Sequence, residues 1–393
     1  MSLTEATPAR TGSGATMLLL WAIVALDAFA FTLVLPLLPV FLEEAHTAIW
    51  LTVLIFASFS VCQFFAAPYL GRMADRFGRK RVLLLSQVGT LVGFLLLAWA
   101  PTPGWMLPSR IVDGITAGNL AIVNAVICDL YPDRDRSGAF ARLNSAGAVG
   151  VMLGLGAAAL FAHQALSHLA IGAAVAALAT VVLGLLTPFP ARQAVTEHLS
   201  LRAMTTRFPA LRLPGIAVVV SQLVMTALMT VMTLLLTQVL DYDARRALVL
   251  VLIGLLVGGT LQAVLAGPIE RAIGTRWAVA GSVVLLDVGA ILFALAVTTG
   301  IGGVYAVGVA VVVLSGGSLL LMSTATALLS QTASVGAGLL MGINQSLSAL
   351  GQLAGPALAL LVLSFGWPWL LVFVSAAAGL ALVVLRGREA HGS

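Results

Sequence analysis

The sequence predicts an all-α membrane protein of twelve transmembrane helices in two pseudo-symmetric six-helix halves. Three observations predict it: an apolar composition, the number and length of the apolar runs, and a repeated segment. Of 393 residues, 60% are hydrophobic and 9% charged, and the mean hydropathy is +1.08. A soluble domain is about half apolar and about a quarter charged, so no soluble fold of this size could cover such a surface. One crossing needs about 20 apolar residues, and about 30 with its loop, which allows on the order of a dozen crossings. Cys62 and Cys128 both fall in apolar segments, as small buried hydrophobes rather than a disulfide framework.

The apolar runs, bounded by proline, glycine and charge, lie at 17–42, 48–70, 82–100, 105–130, 139–162 and 166–187. The start is polar through Thr16, and the first run is span-length with no small-residue cleavage site behind it. It is expected as a transmembrane helix and not a cleaved signal. A more polar stretch, 188–212, carries Pro188, Pro190, Arg192, Glu197, Arg202, Arg207 and Arg212. A second set of runs follows at 213–239, 246–267, 277–298, 301–329, 336–363 and 367–385. The expected organisation is a first half over 1–187, a central loop over 188–212 and a second half over 213–393.

Orientation follows from the basic residues, which favour cytoplasmic loops. With a cytoplasmic N-terminus, 17 of the 20 Lys and Arg lie inside, among them Arg72, Arg76, Arg79, Lys80, Arg81, Arg134, Arg136, Arg142, Arg271 and Arg276. Only Arg245 and Arg246 lie outside, and Arg110 falls within a span. Both termini are therefore expected in the cytoplasm. The net charge of +5 belongs to these short loops, so nucleic acid is not an expected partner.

The repeat joins the halves. After the second run stands Ala67-Pro68-Tyr69-Leu70-Gly71-Arg72-Met73-Ala74-Asp75-Arg76-Phe77-Gly78-Arg79-Lys80-Arg81. After the eighth stands Ala266-Gly267-Pro268-Ile269-Glu270-Arg271-Ala272-Ile273-Gly274-Thr275-Arg276, a worn copy at the matching place. Parallel six-helix halves of this kind are a transporter architecture. Two glycines suit a tight turn and close helix approach, and Asp75 is suited to pair with cations or cap the following helix.

Residues 71–81 closely resemble the G-x-x-A-D-R-F-G-R-[RK]-[RK] loop of the major facilitator superfamily. The resemblance runs over nearly the whole chain and is nearest to the drug/proton antiporters, including the tetracycline efflux proteins. Leu26-Asp27 followed by Pro36-Leu37-Leu38-Pro39 is similar to the first span of that branch, and Arg110-Ile111-Val112-Asp113-Gly114-Ile115-Thr116 to its fourth. Gln63-Phe64 before Ala67-Pro68 and Gln262-Ala263 before Gly267-Pro268 also fit. The resemblance implies the major facilitator fold and a gating loop of Gly71, Asp75, Arg76, Gly78 and Arg79, with Asp129 meeting Arg79 as a cytoplasmic latch of the outward-facing state. Departures matter too. Gly154-Leu155-Gly156-Ala157-Ala158 lacks the proline of the span-five antiporter motif, whereas Gly355-Pro356 keeps a Gly-Pro in span eleven. An aspartate of the tetracycline branch is replaced near Gly93 and a histidine near Leu51, which argues against tetracycline itself as substrate.

An ionisable side chain at mid-membrane costs about 2.5–3.5 kcal/mol on insertion scales, so it usually faces a cavity and has a function. Asp27 sits near the middle of the first span, as a proton-coupling acid, an anchor for a cationic drug, or a structural carboxylate. Arg110 and Asp113, at i and i+3, share one helix face. They form either a neutralised pair or one whose acid titrates when the pair breaks. Asp287 in span nine is the second-half candidate for proton or substrate work, against a structural bond. Gln63, Asn119, Asn124, Gln222, Asn344 and Gln345 are candidates to line a substrate cavity. Gln222, Met225, Met229 and Met232 share one helical face, which suits either an adaptable apolar site or ordinary packing. Gly114 and Gly118, one turn apart, favour close packing. His163 and His168 lie at an outer loop without ligand partners, so no metal site is expected.

The sequence thus points to a proton-coupled exporter of small lipophilic or cationic compounds, a monomer in the inner membrane of a bacterial cell. No cofactor beyond the coupling proton is expected, and its partners are the substrate and the lipid bilayer. A second reading keeps the fold but imports or facilitates a metabolite. A membrane enzyme would need a nucleophile–base pair or metal cluster, and the sequence offers neither. No P-loop lysine points to ATP. A non-transporting sensor is disfavoured because no soluble domain is appended.

Overall fold

The computed structural model describes residues 14–35, 37–161, 164–189, 214–223, 225–226, 244–299, 303–332 and 336–364. Its elements are helical throughout, as a backbone without water to bond requires. In the first half these are α1 (Gly14–Val34), α2 (Leu38–Glu44), α3 (Ile49–Phe77), α4 (Arg79–Ala98), α5 (Met106–Thr116), α6 (Asn119–Leu130), α7 (Arg136–Leu160) and α8 (Leu166–Leu186). In the second they are α9 (Pro214–Leu223), α10 (Ala244–Ile273), α11 (Thr275–Thr299), α12 (Gly303–Thr332) and α13 (Ala337–Ser364). Among the described residues, eight segments are long and apolar enough to cross a membrane. They include Pro103–Leu130, which joins α5 and α6, and Tyr305–Gln331 within α12. α10 and α13, of 30 and 28 residues, stand at the eighth and eleventh expected places. The expected run 367–385, most of 213–239 and most of the central loop lie outside the described residues.

Three expectations need correction. The first run, 17–42, is two helices, α1 and the short α2, because prolines at 36 and 39 disfavour helix in the residues before them. The fourth run, 105–130, is broken at Ala117 and Gly118 into α5 and α6. Thr116 Oγ1 turns back onto the Val112 carbonyl at 2.8 Å, and the Gly118 amide bonds the Thr116 carbonyl at 2.7 Å, closing the helix early. Finally, 71–77 is not loop. α3 continues through it to Phe77, and only Gly78, at φ 96°, makes the turn into α4. The second copy behaves alike, with α10 running to Ile273 and Gly274 turning at φ 82°. A backbone there is left-handed, which glycine alone adopts freely.

In the first half, α1 packs on α7 and α8, and α5 fits between α3 and α4. In the second, α12 packs on both α10 and α11. The halves meet through α3 against α13, α7 against α10, and α6 against α13. Gly71 lies against the Gly338 backbone, and Gly138 approaches Gly267 so closely that a Cβ on it would sit 3.1 Å from the Gly267 Cα. These approaches all lie toward the arginine-rich end. One buried cluster there joins Ile23, Ile127 and Leu143 to Leu329, Leu340 and Met341 of the second half. A second cluster, including Leu33, Phe94, Leu97 and Leu169, belongs to the first half alone. Exposed Leu54, Phe65, Leu95, Val175 and Ile291 lie on the outside, as lipid-facing side chains should.

Candidate functional site

The break in the fourth span delivers the centre of the site. Asn119 is the first residue of α6, and its Nδ2 donates to Asp27 Oδ1 of α1 at 3.0 Å. Asp27 is half-buried and thus sits beside the N-terminus of a half-helix, an end that attracts negative charge. Discontinuous helices in membranes occur where backbone is enclosed by protein or lines a cavity.

One turn before the break, Arg110 Nη1 lies 3.4 Å from Asp113 Oδ2, with the arginine side chain only 1% exposed. The guanidinium stands 5.8 Å above the Phe94 ring, and Thr90 of α4 hydrogen-bonds Asp113. Asp27 and Asp113 are near enough to act on each other electrostatically. Arg110 thus pairs with Asp113, and Asp27 stands beside that pair within electrostatic reach of its acid. Gly93 of α4 is pressed against this group, since a Cβ there would meet the Asp113 Cβ at 3.0 Å. At the level where the resembling branch carries an acid on span three, this chain supplies one from the facing helix.

The expected cavity residues divide. Gln63, Asn119, Asn124, Asn344 and Gln345 are all buried. Gln63 Oε1, Asn119 Oδ1 and Asn344 Oδ1 have no hydrogen-bond partner among the described residues. They come from α3, α6 and α13, three helices in mutual contact across the two halves. Ser346 of α13 donates to the Phe64 carbonyl beside Gln63. Gln262, the second-half counterpart of Gln63, is instead fixed by its Nε2 to the Leu319 carbonyl at 2.7 Å. Gln222 and Met225 are half-buried, with Gln222 against Gly351, while Met229 and Met232 lie outside the described residues. Asp287 is half-buried on α11, whose neighbouring Leu286 packs on Gly317 of α12, so it belongs to the second half and not to the Asp27 group. α7 is continuous, with Gly150 and Gly154 set against Ala25 and Thr32 of α1.

At the arginine-rich end a charge network spans the halves. Arg79 Nε lies 3.0 Å from Asp129 Oδ2, and its Nη1 lies 2.6 Å from Asp75 Oδ1. Asp75 does not cap the following helix. Its two oxygens accept the Gly338 and Leu339 amides, at 2.9 and 2.8 Å, capping α13 of the opposite half. Gly71 supports this docking by its contact with Gly338, and Gly78 makes the turn. Arg76 takes no part, since it is exposed with its guanidinium 5.2 Å above the Phe77 ring.

Sequence reasoning missed the reciprocal contact. Glu270 of α10 accepts the Ser137 amide at 3.0 Å in the first turn of α7, and the Thr275 hydroxyl at 2.5 Å. Gln331 donates to Glu270, Thr275 and the Asp133 carbonyl, while Arg136 reaches the Ser330 carbonyl at 3.3 Å. The signal was present in the worn repeat, where Glu270 stands one residue ahead of the place matching Asp75. Among the described residues no group of His, Cys, Asp and Glu is arranged to hold a metal.

The two halves meet through α3–α13, α7–α10 and α6–α13, with acids and amides buried along the spans. The family model of the Major Facilitator Superfamily matches residues 20–337, and the chain belongs to that superfamily. It is similar to tetracycline resistance protein, class H, of Pasteurella multocida, 31% identical over 142 residues, 35% of this chain and 36% of that protein. Class B of Escherichia coli is 35% identical over 136 residues, 34% of each chain. These matches span about a third of the relatives' own length. The human organic anion transporter MFSD10 (TETRAN) has a similar structure, with TM-score 0.77, 23% identity and coverage of 94% of this chain and 98% of that one. FucP in the outward conformation gives TM-score 0.72 at 15% identity, covering 95% and 98%. At these identities the structural likeness establishes the fold.

Proposed function

We propose that this transporter exports a small, lipophilic cation in exchange for protons, with its arginine-rich end in the cytoplasm. The observation that carries the reading is the interior group of Asp27, Asp113 and Arg110, two acids to one base, set at a broken helix. Its surplus negative charge suits either a proton or a cationic substrate, and the two compete for it. Antiport follows from that competition: a proton arriving from outside displaces the cation, and the cation arriving from inside displaces the proton. Protons are the only cofactor the scheme needs. The Asp75 and Glu270 contacts hold the cytoplasmic end shut, so the arrangement is the outward-facing or occluded one, and rocking of the halves completes alternating access. The unpartnered amide oxygens of Gln63, Asn119 and Asn344 offer acceptors to a bound cation.

The relatives named for tetracycline resistance support efflux, although Leu51 and Gly93 favour a different substrate from tetracycline. Import of a metabolite is the second reading, favoured by the continuous, proline-free α7. A panel of cationic and neutral antibacterials in an efflux-deficient bacterial host tests the proposal. The wild type should raise the tolerated concentration of lipophilic cations several-fold, and Asp27→Asn, at equal membrane abundance, should not. Equal resistance from both would overturn the assignment of Asp27.

A further inference from the structure

Outside the interior site and the latches, the described residues form a cleft that the proposed function leaves unused. It lies at the arginine-rich end between the halves, has a volume of about 490 Å³, and is lined on one side by Tyr131, Arg134, Asp135 and Arg142. The other wall is α10, through Val264, Pro268 and Arg271. Its size exceeds the roughly 300 Å³ at which ligand pockets begin. Its floor is the Gly138–Gly267 approach.

The cleft is positively charged beyond what its own acid balances. Arg134 and Arg271, 82% and 61% exposed, both reach for Asp135, at the long distances of 3.6 and 3.9 Å. Arg142 is exposed and rests over the Tyr131 ring at 5.9 Å, with no carboxylate at ion-pair distance among the described residues. Three arginines thus face one aspartate. Arg136, by contrast, is tied to Asp133 and to three carbonyls, and is spent.

We propose that this cleft binds the phosphate headgroup of an anionic phospholipid, which bridges the two halves of the transporter. Guanidinium groups match phosphate oxygens in geometry as well as charge. Basic pockets between transmembrane helices on the cytoplasmic side suit anionic headgroups. A lipid is the occupant because the cleft does not end at its arginines: it continues along α10 onto exposed Val257, Leu261, Val264 and Leu265. An acyl chain lies along that strip while the headgroup occupies the arginines. A soluble phosphate would use the charges and leave the strip unused. Since the walls come from α7 and α10, a bound lipid favours the arrangement in which those helices touch.

Native mass spectrometry and thermal unfolding of the purified full-length protein, with phosphatidylglycerol or phosphatidylcholine of the same chains, test this. Phosphatidylglycerol should be retained and raise Tm, and phosphatidylcholine should do neither. Free glycerol 3-phosphate at the same concentration should not compete. Arg134→Gln, a highly exposed position with little to lose in folding, should weaken phosphatidylglycerol binding about fivefold. Arg134→Gln/Arg142→Gln/Arg271→Gln should weaken it on the order of a hundredfold. Arg276→Gln, an exposed arginine at the same end but outside the cleft, should leave it unchanged. Equal retention of both lipids, full binding by the triple variant, or an equal loss from Arg276→Gln would overturn the proposal. Competition by glycerol 3-phosphate would make it a site for soluble anions instead.

Discussion

Asp27, Arg110 and Asp113 were legible in the sequence because a charge inside an apolar run costs too much to be incidental. Their partners on other helices were not. A hydroxyl such as Thr90 sits in a helix at little cost, and Asn119 gives no sign of which carboxylate it serves. The structure supplies that, with Asn119 on Asp27 and Thr90 on Asp113. The pairing has an energetic consequence. With Arg110 1% exposed, Asp113→Leu strands a buried guanidinium and should lower unfolding free energy by about 3–5 kcal/mol. Arg110→Met/Asp113→Leu removes both charges and should recover much of that loss while transport stays absent. Unfolding monitored in detergent distinguishes the cases, and a double variant as unstable as Asp113→Leu would refute the pairing.

Among the elements, hydrophobic run length located most helices to within a few residues, since the membrane's thickness sets it. It could not show where a helix breaks inside an apolar run or extends beyond one. The break at Ala117–Gly118 arises from a glycine and a back-bonded Thr116, and the extension of α3 to Phe77 from docking on α13. That docking is testable. Asp75→Asn keeps the side chain's size but turns one of its two acceptor oxygens into a donor, so one α13 amide loses its partner, at a cost of about 1–3 kcal/mol. The ratio of closed to open arginine-rich ends should fall by roughly five- to a hundredfold. Spin labels on the arginine-rich ends of the two halves would report it as a longer distance. An unchanged distribution would remove Asp75 from the gate. Gly71→Leu should act in the same direction, because any Cβ there meets the Gly338 backbone.

At the level of the whole molecule, the all-helical, membrane-spanning architecture could be read directly, since it follows from local patterns. The exchange of contacts between halves could not, because residues far apart in sequence make it. Asp75 of the first half caps α13 of the second, and Glu270 of the second caps α7 of the first. The two latches bias one equilibrium. Asp75→Asn/Glu270→Gln should therefore lower the closed-to-open ratio by the product of the single effects, and no added change from Glu270→Gln would make that contact incidental. The central claim, that protons drive export through Asp27, is tested most directly by proton movement in everted membrane vesicles. With an energised proton gradient, adding a lipophilic cation identified by the resistance panel should release protons from wild-type vesicles and none from Asp27→Asn vesicles. Release by Asp27→Asn at the wild-type rate, or transport by the wild type without proton movement, would contradict the account.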